Sequence, residues 1–316
     1  MSLREILQIQ KAIILDGALA TELEAHGARL DGRLWSARIL FEKPELIHRL
    51  HLDYFRAGAD VAITASYQAS FEGFRLLGLS DEKTRGLLRR SVELAKEARD
   101  VFWADPENRS GRVFPLVAAS VGPYGAFLAD GSEYMGRYGL SVEELMDWHR
   151  PRMAALLQAG PDILACETIP CPEEAEALLR LLEEFPEARA WLSFSCQDGR
   201  RISQGELFRD VVKRVAGAAQ VWAVGVNCTA PRHISSLLKE ARRVANKPLV
   251  VYPNSGERWD AARHCWVEGE QAEGFGALPL EWFAQGARLI GGCCRTGPAD
   301  VNALRRLLIP GTQLPF

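Results

Sequence analysis

The order of apolar and amphipathic segments along the chain is the strongest constraint on its fold. Eight short apolar segments have the pattern of buried parallel strands, and each is followed by a segment with helical spacing. No linker, low-complexity segment or change of composition divides the series. A single (β/α)8 barrel, with residues 1–316 as one domain, is therefore predicted. The strand segments are 12–17, 61–66, 114–120, 163–168, 190–195, 221–228, 248–254 and 287–290.

An open, doubly wound α/β sheet is the main alternative, because it also alternates strands and helices. Such sheets often carry a glycine-rich dinucleotide or phosphate signature directly after a strand, and neither G-x-G-x-x-G nor a P-loop is found here. In a barrel, the carboxyl ends of all strands meet at one face, where active sites lie. Polar residues at the strand ends are therefore expected to be neighbours.

Composition excludes several classes of partner. The net charge is -3, with 25% charged residues, so no basic surface for nucleic acid or for an anionic membrane is indicated. There is no uncharged apolar run long enough to cross a bilayer, and residues 1–11 lack the apolar core of a secretory signal. Seven cysteines, an odd number spread along the chain, fit the reducing cytoplasm.

Two adjacent cysteines, Cys293 and Cys294, follow the eighth strand segment. A disulfide between neighbours is strained, so the pair is better explained as two zinc ligands or as two small buried hydrophobes. Cys228 ends the sixth strand, and only one strand separates the sixth from the eighth in a barrel. Three thiolates with an open fourth position are typical of a catalytic zinc site, so the topology favours metal.

Two acidic residues, Asp16 and Glu167, also lie at strand ends. They are predicted to hold the ammonium group of a small amino acid, although a rim salt bridge or a helix N-cap would also explain them. A zinc ion with thiolate ligands is a poor activator of water but keeps a bound thiol deprotonated and electron-rich. Attack of that thiolate on an alkyl group is the expected reaction.

Residues 122–139 form an unusually long connection after the third strand. Five glycines alternate there with aromatic residues. Such a segment is either a binding lid or a plain flexible excursion.

Four motifs at the strand ends resemble the zinc-dependent homocysteine S-methyltransferases, and the resemblance covers nearly the whole chain. The motifs are Leu15-Asp16-Gly17, Cys166-Glu167-Thr168, Gly225-Val226-Asn227-Cys228 and Gly291-Gly292-Cys293-Cys294-Arg295. Further stretches, such as residues 63–68, 120–125 and 252–257, are similar to the bacterial and plant branch that uses S-methylmethionine.

The resemblance implies a (β/α)8 barrel in which Cys228, Cys293 and Cys294 bind zinc and the sulfur of homocysteine takes the fourth position. Asp16 and Glu167 would contact the amino group of homocysteine. Other small or polar residues at the strand ends are candidates for its binding site: Gly17, Thr64, Ser66 and Asn227.

The methyl donor is expected to be a methylsulfonium compound. The betaine-using branch has an aromatic residue after the acidic end of strand four, whereas this chain has Thr168. A sulfonium charge is favourably faced by aromatic rings, and Trp35, Tyr67, Tyr124 and Tyr134 are candidates, although each would also serve as packing at the rim. S-methylmethionine is the expected donor, S-adenosylmethionine a poorer one, and methionine the product.

Two other functions remain open at this stage. A barrel metallohydrolase would be expected to have histidines at strand ends, and none of the six histidines ends a strand. A non-catalytic zinc-binding or thiol-binding barrel is the second alternative. A monomer is expected, because the chain has no long C-terminal assembly arm after its last helix.

Overall fold

The computed structural model describes residues 2–28, 35–256, 258–260, 265–267 and 275–311. Eight strands belong to the barrel: β1 (Ile13–Ile14), β2 (Val61–Ile63), β3 (Leu116–Val121), β4 (Ile163–Ile169), β5 (Ala190–Phe194), β6 (Val221–Asn227), β7 (Leu249–Tyr252) and β10 (Ala287–Ile290). Two further strands, β8 (Arg258–Asp260) and β9 (Cys265–Val267), form a separate pair. The eight barrel strands are parallel and form one sheet in the order β1-β10-β7-β6-β5-β4-β3-β2, and a parallel bridge between Leu15 and Val61 joins its two edges. The predicted (β/α)8 barrel is confirmed.

Helices surround the barrel, and several begin at a proline or at a capping serine, as expected. They are α1 (Leu3–Ile9), α2 (Leu19–Ala25), α3 (Trp35–Glu42), α4 (Pro44–Ala57), α5 (Phe71–Leu76), α6 (Asp81–Ala104), α7 (Tyr124–Leu128), α8 (Val142–Gln158), α9 (Pro172–Glu184), α10 (Phe208–Ala216), α11 (Pro231–Arg242), α12 (Leu278–Ala284) and α13 (Pro298–Leu308). Within the described residues, none of these helices is long and apolar enough to cross a membrane.

The main differences from the sequence prediction lie in the connections. The first strand is limited to Ile13–Ile14, and beyond it the backbone nitrogen of Asp16 donates to the carbonyl of Val61 in the neighbouring strand at 3.1 Å. Residues 122–139 contain helix α7 and a 3-10 turn at Ser132–Tyr134. Strands β8 and β9 form an antiparallel pair in the connection between β7 and α12.

The interior of the barrel is apolar toward its amino-terminal end and polar toward the carboxyl ends of the strands. Leu3 and Ile6 of α1 pack into the same buried cluster as Trp191 and Tyr252, so α1 covers the amino-terminal end. The indole nitrogen of Trp191 donates to the hydroxyl of Tyr252 at 3.0 Å. The carboxyl ends are therefore the face that is left for chemistry.

Strands β6 and β7 approach closely at Gly225, where a Cβ atom would overlap the carbonyl oxygen of Val250. Gly225→Ala is expected to lower the free energy of unfolding by about 3 kcal/mol, because the packed ladder has no room for a methyl group. Urea unfolding measures the change. The control is Gly86→Ala in α6, where a Cβ meets nothing within 4 Å. That change should stabilise the protein by about 0.5–1 kcal/mol, and equal effects of the two substitutions would contradict the packing argument.

Candidate metal centre

Three thiols converge at the carboxyl ends of β6 and β10. The Sγ atom of Cys294 lies 3.5 Å from that of Cys228 and 4.0 Å from that of Cys293, and all three atoms are within 4.8 Å of one another. A tetrahedral ion with bonds of about 2.3 Å to sulfur requires sulfur atoms about 3.8 Å apart. The separations of 3.5 and 4.0 Å are close to this value, so the three thiols are suited to hold a tetrahedral metal ion, and no fourth ligand joins them among the described residues.

The backbone at the ends of β4 and β6 is held in an unfavourable conformation. Thr168 has φ of 60° and Cys228 has φ of 45°, both in the left-handed region, which typically costs about 1–3 kcal/mol for such residues. The side chain of Asn227 holds Thr168 twice, since its oxygen accepts from the Thr168 backbone nitrogen and its nitrogen donates to Oγ1, both at 2.7 Å. The backbone nitrogen of Cys228 donates to the carbonyl of Tyr252 at 3.0 Å. These bonds maintain the direction of the Cys228 side chain.

The vicinal cysteines lie in a turn that packs tightly against the first strand. A Cβ atom on Gly291 would lie 2.5 Å from Cβ of Leu15. The Cys293 nitrogen donates to the carbonyl of Pro253 at 2.8 Å, and Thr296 Oγ1 donates to the Cys293 carbonyl at 2.6 Å. Neighbouring strands on both sides therefore fix the turn, and with it both sulfurs.

Proton sharing within the cluster differentiates the three thiols. Hydrogen bonds from Cys293 and then Cys294 lower the pKa of the Cys228 thiol well below its usual range, while the same contacts raise the pKa of Cys293 and of Cys294. Binding of a metal ion to all three sulfurs releases the thiol protons, so its affinity is expected to increase with pH.

Two buried carboxylates lie beside the thiols. Asp16 is 2% exposed; its Oδ2 accepts from the Ile63 nitrogen at 2.7 Å, and its buried Oδ1 has no partner among the described residues. Burial raises the pKa of Asp16 well above its usual value, and the charge of Glu167 raises it further. Burial also raises the pKa of Glu167 to about 7, against hydrogen bonds from Ser120 and Tyr252. A buried carboxylate oxygen without a partner is suited to a cationic hydrogen-bond donor such as an ammonium group.

The other candidates for the homocysteine site bond largely to the protein itself. Thr64 Oγ1 lies 2.7 Å from Ser66 Oγ, which donates to the Ser120 carbonyl at 2.8 Å. Asn227 is committed to Thr168, and its oxygen also accepts from Ser193 at 2.8 Å. Residue 17 has to be glycine, because a Cβ atom on Gly17 would lie only 2.8 Å from the carbonyl oxygen of Thr296. These residues shape the walls around Asp16 and Glu167.

The four aromatic candidates occupy different environments. The hydroxyl of Tyr134 lies 3.0 Å from Cys228 Sγ, so residues 122–139 reach the thiol cluster. Tyr67 packs against Gly122, where a Cβ atom would lie 2.6 Å from its ring. Tyr124 of α7 packs against α8, with its ring centre 5.2 Å from that of Trp148. Trp35 begins helix α3, and its side chain lies outside the described residues.

A buried polar network lies under residues 122–139 and was not predicted from the sequence. Arg152 of α8 is 1% exposed and donates to three carbonyls, those of Gly122 at 2.7 Å, Ser66 at 2.8 Å and Tyr67 at 2.6 Å. Glu174 of α9 accepts from the Tyr124 nitrogen at 2.6 Å and contacts His149 at 2.8 Å. The segment is therefore anchored at its start to two helices. A charged residue on the apolar face of α8 was the only sequence signal.

This geometry defines a class of protein: a (β/α)8 barrel with a three-thiol metal site at its catalytic face and buried carboxylates beside it. The chain matches the homocysteine S-methyltransferase family over residues 13–308, and it belongs to that family.

Named relatives and a solved structure agree with this assignment. The chain is 53% identical to homocysteine S-methyltransferase YbgG of Bacillus subtilis over 302 residues, with 96% of each chain covered. It is 52% identical to the homocysteine S-methyltransferase of Escherichia coli, with 96% of this chain and 97% of that protein covered. The crystal structure of the metallated homocysteine methyltransferase MmuM from Escherichia coli superposes with a TM-score of 0.85 at 50% identity, covering 96% of this chain and 98% of that one.

Arg152→Lys tests whether the buried network holds the segment. Lysine keeps the charge but lacks the planar fork that serves three carbonyls, so the free energy of unfolding should fall by about 2 kcal/mol. Arg150→Lys is the matched control on the same helix, because Arg150 is exposed and pairs with Glu184. Its effect should stay within about 0.5 kcal/mol. Urea unfolding compares the two variants, and equal losses would refute the proposed role of Arg152.

Proposed function

We propose that the protein transfers a methyl group from S-methylmethionine to the thiol of homocysteine, with zinc at Cys228, Cys293 and Cys294, and forms methionine from both. The observation that carries the proposal is the convergence of three sulfurs, which would leave a tetrahedral ion one position for the acceptor thiol. Membership of the homocysteine S-methyltransferase family supports the acceptor. The use of S-methylmethionine rests on the sequence motifs and on the chemistry of the site.

Zinc is the metal that best fits these ligands. Thiolates are soft ligands, and a tetrahedral site with several sulfurs is typical of zinc. When bound, zinc would lower the pKa of the acceptor thiol and leave its sulfur nucleophilic. The three cysteines would thus hold the ion that keeps the acceptor thiol deprotonated.

The side chains near the cluster bind and orient the acceptor. Asp16 offers a buried Oδ1 without a partner in the described chain, and Glu167 lies close enough for its charge to act on Asp16. We infer that the ammonium group of homocysteine binds between them, which relieves both the unpaired oxygen and the repulsion of the two carboxylates. Its charge would ionise both acids at neutral pH.

The transfer itself needs little proton chemistry at the donor. A lone pair of the acceptor sulfur forms a bond to the methyl carbon, and the bond from that carbon to the donor sulfur breaks with its electrons remaining on the donor. The sulfonium becomes a neutral thioether, so no proton is required to expel it. Correct placement of the two sulfurs therefore supplies most of the rate. Tyr67 and Tyr134, which line the same region as Cys228, are suited to face the sulfonium charge.

We propose three further properties of the protein, which concern its compartment, its number of domains and its oligomeric state. Thiols that must bind metal favour the reducing cytoplasm. We also propose that residues 1–316 form one domain and that the protein is a monomer. Size-exclusion chromatography with light scattering tests the last point, for which a mass near 35.0 kDa is expected.

Cys228→Ala is expected to remove zinc and activity together, because two thiols alone leave the site incomplete. Zinc content by mass spectrometry and methionine formation from homocysteine and S-methylmethionine are the measurements. Cys196→Ala is the control, since Cys196 is a free, half-buried thiol outside the cluster, and it should retain both. Full turnover by zinc-free Cys228→Ala protein would refute the proposal.

A panel of donors tests the choice of methyl source. S-methylmethionine should give the highest kcat/KM, S-adenosylmethionine a lower value and betaine none, each with homocysteine and measured zinc content. Zinc-loaded protein that makes no methionine from any sulfonium donor would instead indicate a non-catalytic thiol-binding barrel.

A further inference from the structure

Glu133 carries an unexplained buried carboxylate in the segment that covers the thiol cluster. Its Oε2 is buried and has no hydrogen-bond partner among the described residues. Such an atom destabilises the folded protein unless a ligand completes its bonding. We propose that Glu133 binds the α-ammonium group of the methyl donor, an inference that rests on the function proposed above.

The position of Glu133 relative to the metal site is well fixed. It lies in the 3-10 turn Ser132–Tyr134, directly before the tyrosine whose hydroxyl is 3.0 Å from Cys228 Sγ. Its carbonyl accepts from Ser195 Oγ, at the end of β5, at 3.0 Å. On its other side the turn packs against helix α7, since a Cβ atom on Gly125 would overlap the Glu133 nitrogen. The backbone of Glu133 therefore contacts both the barrel, at Ser195, and helix α7 of the covering segment.

The electrostatic surroundings of Glu133 favour a cation. Burial raises the pKa of its carboxyl to about 7, against a hydrogen bond from its own backbone, and the charges of Cys228 and Asp130 add to the increase. Tyr67 in turn experiences the charges of both Glu133 and Cys228, so the three residues share one region. A bound cation would lower the pKa of Glu133 and keep it ionised at neutral pH.

The chemistry of the donor determines which of its charges belongs here. A sulfonium sulfur has no N–H or O–H to donate, so it leaves Oε2 without a hydrogen bond. Its charge also disappears during transfer, and a carboxylate beside it would stabilise the substrate more than the transition state. An ammonium group donates hydrogen bonds and keeps its charge throughout. Glu133 therefore fits the ammonium group, and aromatic rings fit the sulfonium.

Two separate acidic sites also match two amino-acid substrates. Asp16 follows β1 and Glu167 lies near the end of β4, whereas Glu133 lies in the 3-10 turn of the segment that reaches the thiol cluster. The pair beneath the thiols serves the acceptor, and Glu133 serves the donor. The preference for sulfonium donors that carry an amino group over those that lack one would then depend on Glu133.

The test compares Glu133→Gln with Glu183→Gln, a control that makes the same change at an exposed position of α9. Glu133→Gln should raise KM for S-methylmethionine at least tenfold, with kcat within threefold, since an ammonium bond is equal in substrate and transition state. KM for homocysteine and the zinc content should match the wild type. Glu183→Gln should leave all four values unchanged.

A donor analogue without an amino group sharpens the test. Dimethylsulfoniopropionate is measured as a competitive inhibitor against S-methylmethionine, and its Ki should be the same for wild type and Glu133→Gln. Equal weakening of the analogue and the donor, a rise in KM for homocysteine instead, or an unchanged KM for S-methylmethionine would each overturn the assignment of Glu133. A wild type that forms no methionine would refute the proposed function itself, whereas an active wild type with an unaffected variant refutes the inference alone.

Discussion

The parallel pairing of β7 with both β6 and β10 determines the position of the metal site. Register bonds place Asn227 beside Tyr252, and Ile290 beside Val251, so the ends of β6 and β10 lie one strand apart. Gly225 permits the close approach of β6 to β7. Because Cys228 follows directly after β6 and Cys293 follows the end of β10 by three residues, any slip in either pairing would separate the sulfurs. The metal site thus depends on the pairing of these three strands.

This dependence explains why the sequence was sufficient to group Cys228 with Cys293 and Cys294. The alternation of strands and helices is a local pattern, and a barrel converts chain order into spatial order. Asp16 and Glu167 were placed together by the same argument. The structure adds that Asp16 Oδ1 lacks a partner among the described residues, which no sequence pattern could show.

Other features of the site depend on which surfaces pack together after folding, and they could not be predicted. Arg152 was one residue on an amphipathic helix, yet it holds carbonyls from two different connections. Asn227 was expected to face the substrate, whereas its amide is bonded to Thr168 and Ser193. Glu133 had no signal except its position among aromatic residues. In each case the partner is distant in sequence, so local periodicity contains no information about it.

At Cys228 the left-handed backbone disfavours any residue with a side chain, whereas the metal site requires a thiol. Glycine would adopt φ of 45° without strain, whereas a side chain there typically costs about 1–3 kcal/mol. The sulfur is nevertheless required for the three-thiol cluster. Selection for stability alone would therefore drive this position toward glycine and abolish the metal site. Cysteine at residue 228 is a case in which activity is maintained against the conformational preference of the chain.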